Sequence, residues 1–241
     1  FVFFALLYAI TMAQGLSWAY DSADSGDFLS AIATGGVPHP GGYPTYIFFA
    51  SLFAKLPFGS LAYRTNLLSM LAMLLAIWVF YQLVEKITAK PSVALLSTLI
   101  FGTFPLVWSQ AIITEVYASL TLLCALILFL LLPQEKPSTI KDFLSGLALG
   151  LAIGNHLTAV FLAPFLFLKN TQDHIREISL RLLGLLTGLS IFLSIPLRAS
   201  NQAPINWGNA VTWDGFWWLV SGEMYQNRLS HFSFPYLYKA I

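Results

Sequence analysis

The 241-residue sequence is strongly apolar, with 57% hydrophobic and only 10% charged residues. Soluble domains carry about 25% charged residues, so these proportions exclude an ordinary soluble domain and a disordered chain. The net charge of +1 offers no basic excess for phosphate backbones, which excludes a nucleic-acid-binding protein. The single cysteine, Cys124, has no partner for an internal disulfide. The class that remains is an all-α, polytopic membrane protein.

The uncharged segments define the predicted membrane spans, since about 20 apolar residues cross the hydrocarbon core as a helix. The sequence is apolar from Phe1 onward, and residues 234–241 resemble the approach to another apolar segment. We therefore interpret residues 1–241 as a single transmembrane module, the N-terminal part of a longer protein. Gly184 and Gly188 have the spacing that permits close helix packing. The predicted spans are 1–17, 65–84, 92–108, 116–132, 143–168 and 182–197.

One uncharged stretch, residues 28–54, is not predicted to span the membrane. Glycines and prolines break any helix in its middle. After Pro44, 12 residues follow before the next proline, which is enough for a short helix at the membrane surface. Tyr43, Tyr46 and Phe48 are expected to anchor that helix.

The positive-inside rule sets the predicted orientation. Lysines follow the second and fourth spans, at positions 86, 90, 136 and 141. With these loops cytoplasmic, residues 18–63 and 198–235 form external loops. The basic loop 169–181 is also cytoplasmic if the segment 143–168 is broken at 154–156 and returns. A single long span is the alternative, and we favour the broken form.

The first external loop carries the most informative polar residues. Asp24 and Asp27 are three positions apart, so on a helical turn they point the same way. Paired carboxylates suit a general base, and they can also hold a divalent metal. Helix capping by Asp21 and Asp24 is the structural alternative. The Pro/Gly loop that follows holds His39 and Tyr43 in place.

Four further polar residues lie at the ends of predicted spans or within one. Glu115 opens the fourth span, where a helix-dipole contact is the structural alternative to a functional role. Asn155 and His156 interrupt a long apolar run and require a polar cavity or a hydrogen-bonded packing pair. Arg198 emerges from the last span, where a guanidinium can hold a lipid phosphate or serve as an interfacial anchor.

Six motifs occur in the order known from one family of membrane proteins. The sequence resembles a family of multi-pass proteins that includes a eukaryotic protein O-mannosyltransferase acting on plexin-type receptors and belongs with the GT-C glycosyltransferases. The motifs are DSGDF at 24–28, VPHPGGYP at 37–44, AYRTNLLS at 62–69, WSQAIITEVY at 108–117, GNHLT at 154–158 and NWG at 206–208.

The resemblance implies a GT-C-like helical module with its site at the outer or lumenal membrane face. The donor would be a mannose-like sugar on a polyprenyl phosphate, the acceptor a protein or glycan hydroxyl, and the reaction inverting. Asp24 or Asp27 would be the base. In the family pattern a proline stands where this chain has Gly41, which is expected to loosen the loop.

The remaining expected contacts follow from the same resemblance. His39, His156 and Arg198 would contact phosphate or sugar, and Glu115 would orient the sugar or the acceptor. Tyr43 and Asn155 complete the predicted substrate-binding set. We predict no cofactor and no metal, with a divalent ion at the two aspartates as the alternative.

Two other function classes fit the same composition. A transporter or lipid flippase also uses broken helices and intramembrane polar residues. A non-catalytic scaffold would bind a partner through the aromatic loop 207–218 and tolerate loss of both aspartates. We predict an integral, multi-pass membrane protein, in the bacterial inner membrane given its short loops, or in the endoplasmic reticulum if the protein is eukaryotic.

Overall fold

The computed structural model describes residues 1–20, 22–132, 138–168 and 173–230, and within these ranges the chain is helical with no strand. The all-α prediction is confirmed. Short 3₁₀ turns occur at Ser22–Asp24, Ser190–Leu193 and Trp207–Asn209, and a longer 3₁₀ helix at Leu157–Phe167. The α-helices are α1 (Val2–Thr11), α2 (Ser25–Thr34), α3 (Pro44–Phe53), α4 (Leu61–Thr88), α5 (Pro91–Thr103), α6 (Pro105–Ala111), α7 (Tyr117–Leu131), α8 (Thr139–Asn155), α9 (His174–Leu189), α10 (Ser194–Ala199), α11 (Trp213–Val220) and α12 (Glu223–Ser230).

Two described helical segments are long and apolar enough to cross a membrane, Leu61–Thr88 and the continuous stretch His174–Ala199. A third arises if α5 and α6 count as one span, although their axes differ by 66°. Pro105 explains this bend, because it lacks an N–H and keeps the preceding Phe104 extended. The predicted span 92–108 is therefore not one straight helix. Helices α1 and α7 and the Leu157–Phe167 helix are shorter apolar segments, so the predicted first span 1–17 contains only ten helical residues.

Helix α3 occupies the place where a surface helix is predicted, with Pro44 in its first turn. Phe48 is exposed, as expected of an anchor. The predicted anchoring by Tyr43 and Tyr46 is wrong. Tyr46 is fully buried, and both rings pack against Phe28 of α2 in the core between α2 and α3.

Helices α8 and α9 pack with their backbones nearly in contact. A Cβ on Gly146 would lie 1.8 Å from the carbonyl oxygen of Arg181, and one on Gly184 would lie 2.0 Å from that of Phe143. Gly150 and Gly188 meet one turn further along. The close packing predicted from Gly184 and Gly188 is thus confirmed.

Helix α8 ends at Asn155, and the Leu157–Phe167 helix returns toward the start of α8. Arg181 shows the return, since its guanidinium bonds both to Asp142 near the start of α8 and to the carbonyl oxygens of Leu166 and Leu168. The reversal occurs at His156, whose backbone is extended (φ −160°, ψ 131°). It places His156 at the end of the module that also holds the first polar loop.

Candidate active site

The first and last polar loops are joined by a backbone bridge that assembles the site. Val37 donates its N–H to the carbonyl oxygen of Ile205 at 2.9 Å, and Trp207 donates to that of Val37 at 3.2 Å. Gly36 permits this approach, because a Cβ there would lie 1.9 Å from the Ile205 oxygen. The bridge brings Trp207 next to Asp27, 180 positions earlier in the chain.

Gly41 shapes the loop between α2 and α3. Its φ is +109°, and its N–H donates to the carbonyl oxygen of Leu219 at 2.8 Å. A proline could neither adopt this φ nor donate this bond. The expectation that Gly41 loosens the loop is therefore wrong, since the residue ties the loop to α11. The loop then presents His39 and Tyr43 on the side of Phe28.

Asp27 is held by three hydrogen bonds. Its Oδ2 accepts from the backbone N–H of His39 and contacts His39 Nδ1, both at 2.8 Å. Its Oδ1 accepts from Trp207 Nε1–H at 3.1 Å. Burial raises the pKa of Asp27, but the bonds from His39 and Trp207 outweigh it, so the pKa lies below its usual value. Asp27 is therefore an ionised anchor with both oxygens engaged.

His39 connects the two aspartates. With Nδ1–H donating to Asp27, the Tyr43 hydroxyl can donate to Nε2 at 3.0 Å. The same Nε2 lies 3.5 Å from Asp24 Oδ2. Burial, and then the charge of Asp24, raises the pKa of Tyr43, so its hydroxyl stays protonated as this donor requires.

Asp24 differs from Asp27 in exposure and in engagement. Its side chain is 53% exposed, against 22% for Asp27. It occupies the N-cap position of α2, yet its carboxylate makes no capping hydrogen bond. The capping alternative is therefore wrong for Asp24, while Asp21 lies outside the described residues. Asp24 keeps a carboxylate open to solvent and ligand.

Two cavities meet at Asp24. The histidine cavity has a volume of about 410 Å³. The glutamate cavity has a volume of about 430 Å³. The histidine cavity is lined by Asp24, His39, Pro40, Gly41, Tyr43, His156, Leu157, Gly222 and Tyr225. The glutamate cavity is lined by Asp24, Met73, Leu106, Val107, Gln110, Glu115, Tyr117, Leu120 and Thr121.

His156 faces the histidine cavity from the break after α8. Its ring lies 6.0 Å from that of Tyr43 and 5.7 Å from that of Tyr117, between centroids. Nδ1 accepts from the backbone N–H of Thr158 at 3.3 Å and lies 2.8 Å from the Thr158 hydroxyl. Nε2 of the neutral ring therefore carries the proton and can donate to a ligand.

The backbone around Glu115 is held in place by side chains from three helices. Three consecutive carbonyl oxygens, from residue 114 to residue 116, accept from Ser25 of α2 at 2.5 Å, Ser69 of α4 at 3.4 Å and Asn155 of α8 at 3.0 Å. The Glu115 side chain is nearly fully buried in the glutamate cavity. Burial, and then the charge of Asp24, raises the pKa of Glu115 to about 8.

Asn155 and Arg198 lie apart from both cavity linings. Asn155 is completely buried and donates to the Val116 carbonyl, so it positions the loop that carries Glu115. Arg198 donates from Nε to the carbonyl oxygen of Gly36 at 2.8 Å and from Nη2 to that of Ala31 at 2.9 Å. These bonds satisfy carbonyls at the end of α2 and secure the start of the loop.

Comparison with known proteins bears on what this site does. A family model described as the protein O-mannosyl-transferase TMEM260 N-terminal domain matches residues 24–179, which include most of the site. The chain belongs to this family. It is 28% identical over 228 residues to the protein O-mannosyl-transferase TMEM260 of Mus musculus, covering 88% of this chain and 32% of the mouse protein.

A second relative is the protein O-mannosyl-transferase tmem260 of Dictyostelium discoideum, which is 25% identical over 241 residues, covering 90% of this chain and 29% of that protein. The chain thus spans about a third of the length of the curated relatives it matches. No solved structure matches the chain.

Sequence reasoning missed two aromatic residues of this TMEM260-family site, Trp207 and Tyr117. Trp207 binds Asp27, and Tyr117 packs against His156 and lines the glutamate cavity. Both belong to motifs that carry the family resemblance, and that was the available signal. Among the described residues, no group of three or more His, Cys, Asp or Glu side chains is arranged to hold a metal ion.

Proposed function

We propose that this chain is the membrane module of a glycosyltransferase that moves a mannose-like sugar from a polyprenyl phosphate to a protein hydroxyl at the outer or lumenal membrane face. Membership of the TMEM260 family and the names of both relatives support the transfer and the protein acceptor. The observation that carries the proposal is the position of Asp24, a half-exposed carboxylate where two cavities meet.

The reaction needs a base but no acid at the leaving group. The acceptor oxygen attacks the anomeric carbon and forms the new glycosidic bond, while its proton passes to Asp24. The bond from the anomeric carbon to the phosphate oxygen breaks, and polyprenyl phosphate leaves with that electron pair. Attack opposite the leaving group inverts the configuration. A phosphate leaves readily as an anion, so the protein supplies orientation and donors to its oxygens.

The two aspartates take different roles in this mechanism. Asp27 has a lowered pKa and three donors on its oxygens, which makes it a weak proton acceptor. It acts as a positioning residue that holds His39. Asp24 is half exposed and lines both cavities, so we assign it as the base. His156 donates from Nε2 to a phosphate oxygen of the donor lipid in the histidine cavity.

The test uses the full-length protein in membranes, with radiolabelled polyprenyl-phosphate mannose and an acceptor polypeptide. Asp24→Asn should lower transfer by about 10²–10⁴-fold, the usual contribution of a general base, while donor binding is retained. Asp27→Asn should reduce transfer less, and Asp214→Asn, in the first turn of α11, serves as a control. The product anomer reports inversion. Wild-type transfer by Asp24→Asn would overturn the assignment of the base.

The same assay addresses metal use and the rival function class. If the carboxylates act without metal, EDTA should leave the transfer rate unchanged. Loss of transfer with EDTA, restored by adding a divalent ion, would show that the reaction needs a metal. A flippase would move the labelled lipid across the bilayer without transferring its sugar. Movement without transfer would therefore reject the glycosyltransferase.

A further inference from the structure

The glutamate cavity contains two buried oxygen atoms that have no hydrogen-bond partner in the described part of the chain. Glu115 is 2% exposed and Gln110 is 8% exposed. Within the part of the chain that the structure describes, Oε1 of each residue has no hydrogen-bond partner. A buried acceptor left unpaired costs about 1–3 kcal/mol, so two in one cavity indicate a ligand that supplies donors.

The framework around these oxygens is rigid. The backbone of Glu115 is fixed by side chains from α2, α4 and α8. The Gln110 amide is oriented by donation from Nε2 to the carbonyl oxygen of Tyr20 at 3.3 Å, which leaves Oε1 as the remaining acceptor. Gln110 lies on α6, which the bend at Pro105 turns away from α5. The acceptors are therefore in place before a ligand arrives.

The charge of the cavity restricts what it can bind. Its described lining contains two carboxyl groups, Asp24 and Glu115, and no lysine, arginine or histidine. Such a lining offers a phosphate no cationic or histidine donor, whereas sugar hydroxyl groups carry no charge and can donate to both acceptor oxygens. The raised pKa of Glu115, about 8, keeps its carboxyl group largely neutral at neutral pH, which avoids repulsion with Asp24.

The rest of the lining suits the apolar face of a sugar ring. Met73, Val107 and Leu120 provide aliphatic surface, and Tyr117 provides an aromatic ring. Leu106 and Tyr117 are exposed, so the cavity is reachable from the apolar outer surface. The volume of about 430 Å³ lies within the range of about 300–1,000 Å³ that is usual for small-molecule sites.

We propose that the glutamate cavity is the subsite for the sugar ring of the donor, with Gln110 and Glu115 accepting hydrogen bonds from its hydroxyl groups while the phosphate lies outside it. This inference rests on the proposed function and adds to it the separation of sugar and phosphate into two cavities. Gln110 and Glu115 are then sugar-binding residues, and Asp24 lies beside the anomeric carbon.

The experiment measures binding of two lipids to the full-length protein in nanodiscs: polyprenyl-phosphate mannose and the same polyprenyl phosphate without sugar. Gln110→Leu and Glu115→Leu should each weaken binding of the mannosyl lipid about tenfold, the loss of roughly one hydrogen bond. Binding of the sugar-free lipid should stay unchanged, which also shows that each variant folds.

Two control variants complete the design. Glu115→Gln keeps an acceptor oxygen of the same shape, so it should bind the mannosyl lipid within about threefold of wild type, which is under 1 kcal/mol. Ser109→Ala alters a neighbour of Gln110 that lines a different cavity, and it should bind both lipids normally.

Equal weakening of both lipids, or no change with either, would overturn the sugar subsite while leaving the proposed function intact. Failure of the wild-type protein to bind either lipid would reject the proposed function, and the subsite with it.

Discussion

Opposite ends of α8 treat charged groups in different ways. Near Thr139, Arg181 is completely buried and bonded to Asp142 and to two carbonyl oxygens, with Glu177 3.6 Å from its Nη2. The other end of α8 lies about 24 Å away, at 1.5 Å per residue over 17 residues. There Asp24 is half exposed, and Oε1 of Glu115 has no hydrogen-bond partner among the described residues.

This difference separates the charged groups that stabilise the fold from those that are available for chemistry. The hydrogen bonds of Arg181 join α9, α8 and the end of the Leu157–Phe167 helix, and its side chain is buried from solvent. At the site end, hydrogen bonds hold the backbone and positioning residues such as Asp27. The polar groups that face the cavities remain accessible to a ligand. Function is expected where burial and incomplete hydrogen bonding coincide with a cavity.

The largest expected effect on stability comes from removing the buried cation near the start of α8. Arg181→Met leaves Asp142 buried without its cation, so the free energy of unfolding should fall by about 3–5 kcal/mol. Arg176→Met on the same helix is the matched control, because Arg176 and Asp173 form an exposed pair worth about 0–1 kcal/mol. Thermal unfolding in nanodiscs measures both. Equal effects of the two variants would show that burial of Arg181 is not what stabilises this end.

Thermal unfolding measured over a pH series tests the raised pKa of Glu115 at the site end. The pKa of Glu115 is raised from 4.5 to about 8 in the folded protein, so the folded state holds this proton more tightly than the unfolded chain. The stability from Glu115 is present below pH 4.5 and is lost as the pH rises through 8. Glu115→Gln should therefore gain stability relative to wild type as the pH rises from 4.5 to about 8. A difference in melting temperature that does not vary with pH would contradict the raised pKa.

Loss of one donor to Asp27 should weaken the positioning of His39. Trp207→Phe removes a hydrogen bond to a carboxylate, which is worth about 1.5–3 kcal/mol, and we expect sugar transfer to fall about tenfold. The pKa of Asp27 should rise, which NMR titration of the labelled carboxyl can detect. Trp213→Phe is the control, since Trp213 is highly exposed on α11 and should leave transfer near wild type. If both variants behave alike, the Trp207 bond has no role at the site.

The smallest effect concerns the packing that connects the two ends. Gly146→Ala would place a Cβ against the Arg181 backbone, and overpacking of this kind costs about 1–3 kcal/mol. Gly26→Ala on α2 meets nothing within 4 Å and should be neutral or slightly stabilising. Chemical unfolding of both variants checks the difference. A neutral Gly146→Ala would mean that α8 and α9 can separate without loss.

Much of the helical framework was predictable from local features. Gaps between charges located α4 and α7, and Pro44 marked the start of α3. The bend after α5 was only partly predictable, because Pro105 indicates a weakened helix but not an angle of 66°. The inward packing of Tyr46 was not predictable, because an aromatic residue of a surface helix can anchor it in the membrane or pack in the core.

The site was predictable where its members are close in sequence. Asp24, Asp27 and His39 lie within the predicted external loop 18–63, and the structure brings them into contact. The Trp207 contact depends on a bridge between distant loops, which no local pattern specifies. Arg198 was expected at a phosphate, and its position against two carbonyl oxygens follows from tertiary packing alone.

The most direct test of the contrast compares Asp24→Asn with Asp142→Asn in the full-length protein, measuring sugar transfer and thermal unfolding for each. We expect Asp24→Asn to lower transfer by about 10²–10⁴-fold at an unchanged melting temperature. Asp142→Asn should lower the melting temperature, while the molecules that remain folded transfer sugar normally. Wild-type transfer by Asp24→Asn, or a loss of stability as large as that of Asp142→Asn, would contradict the account.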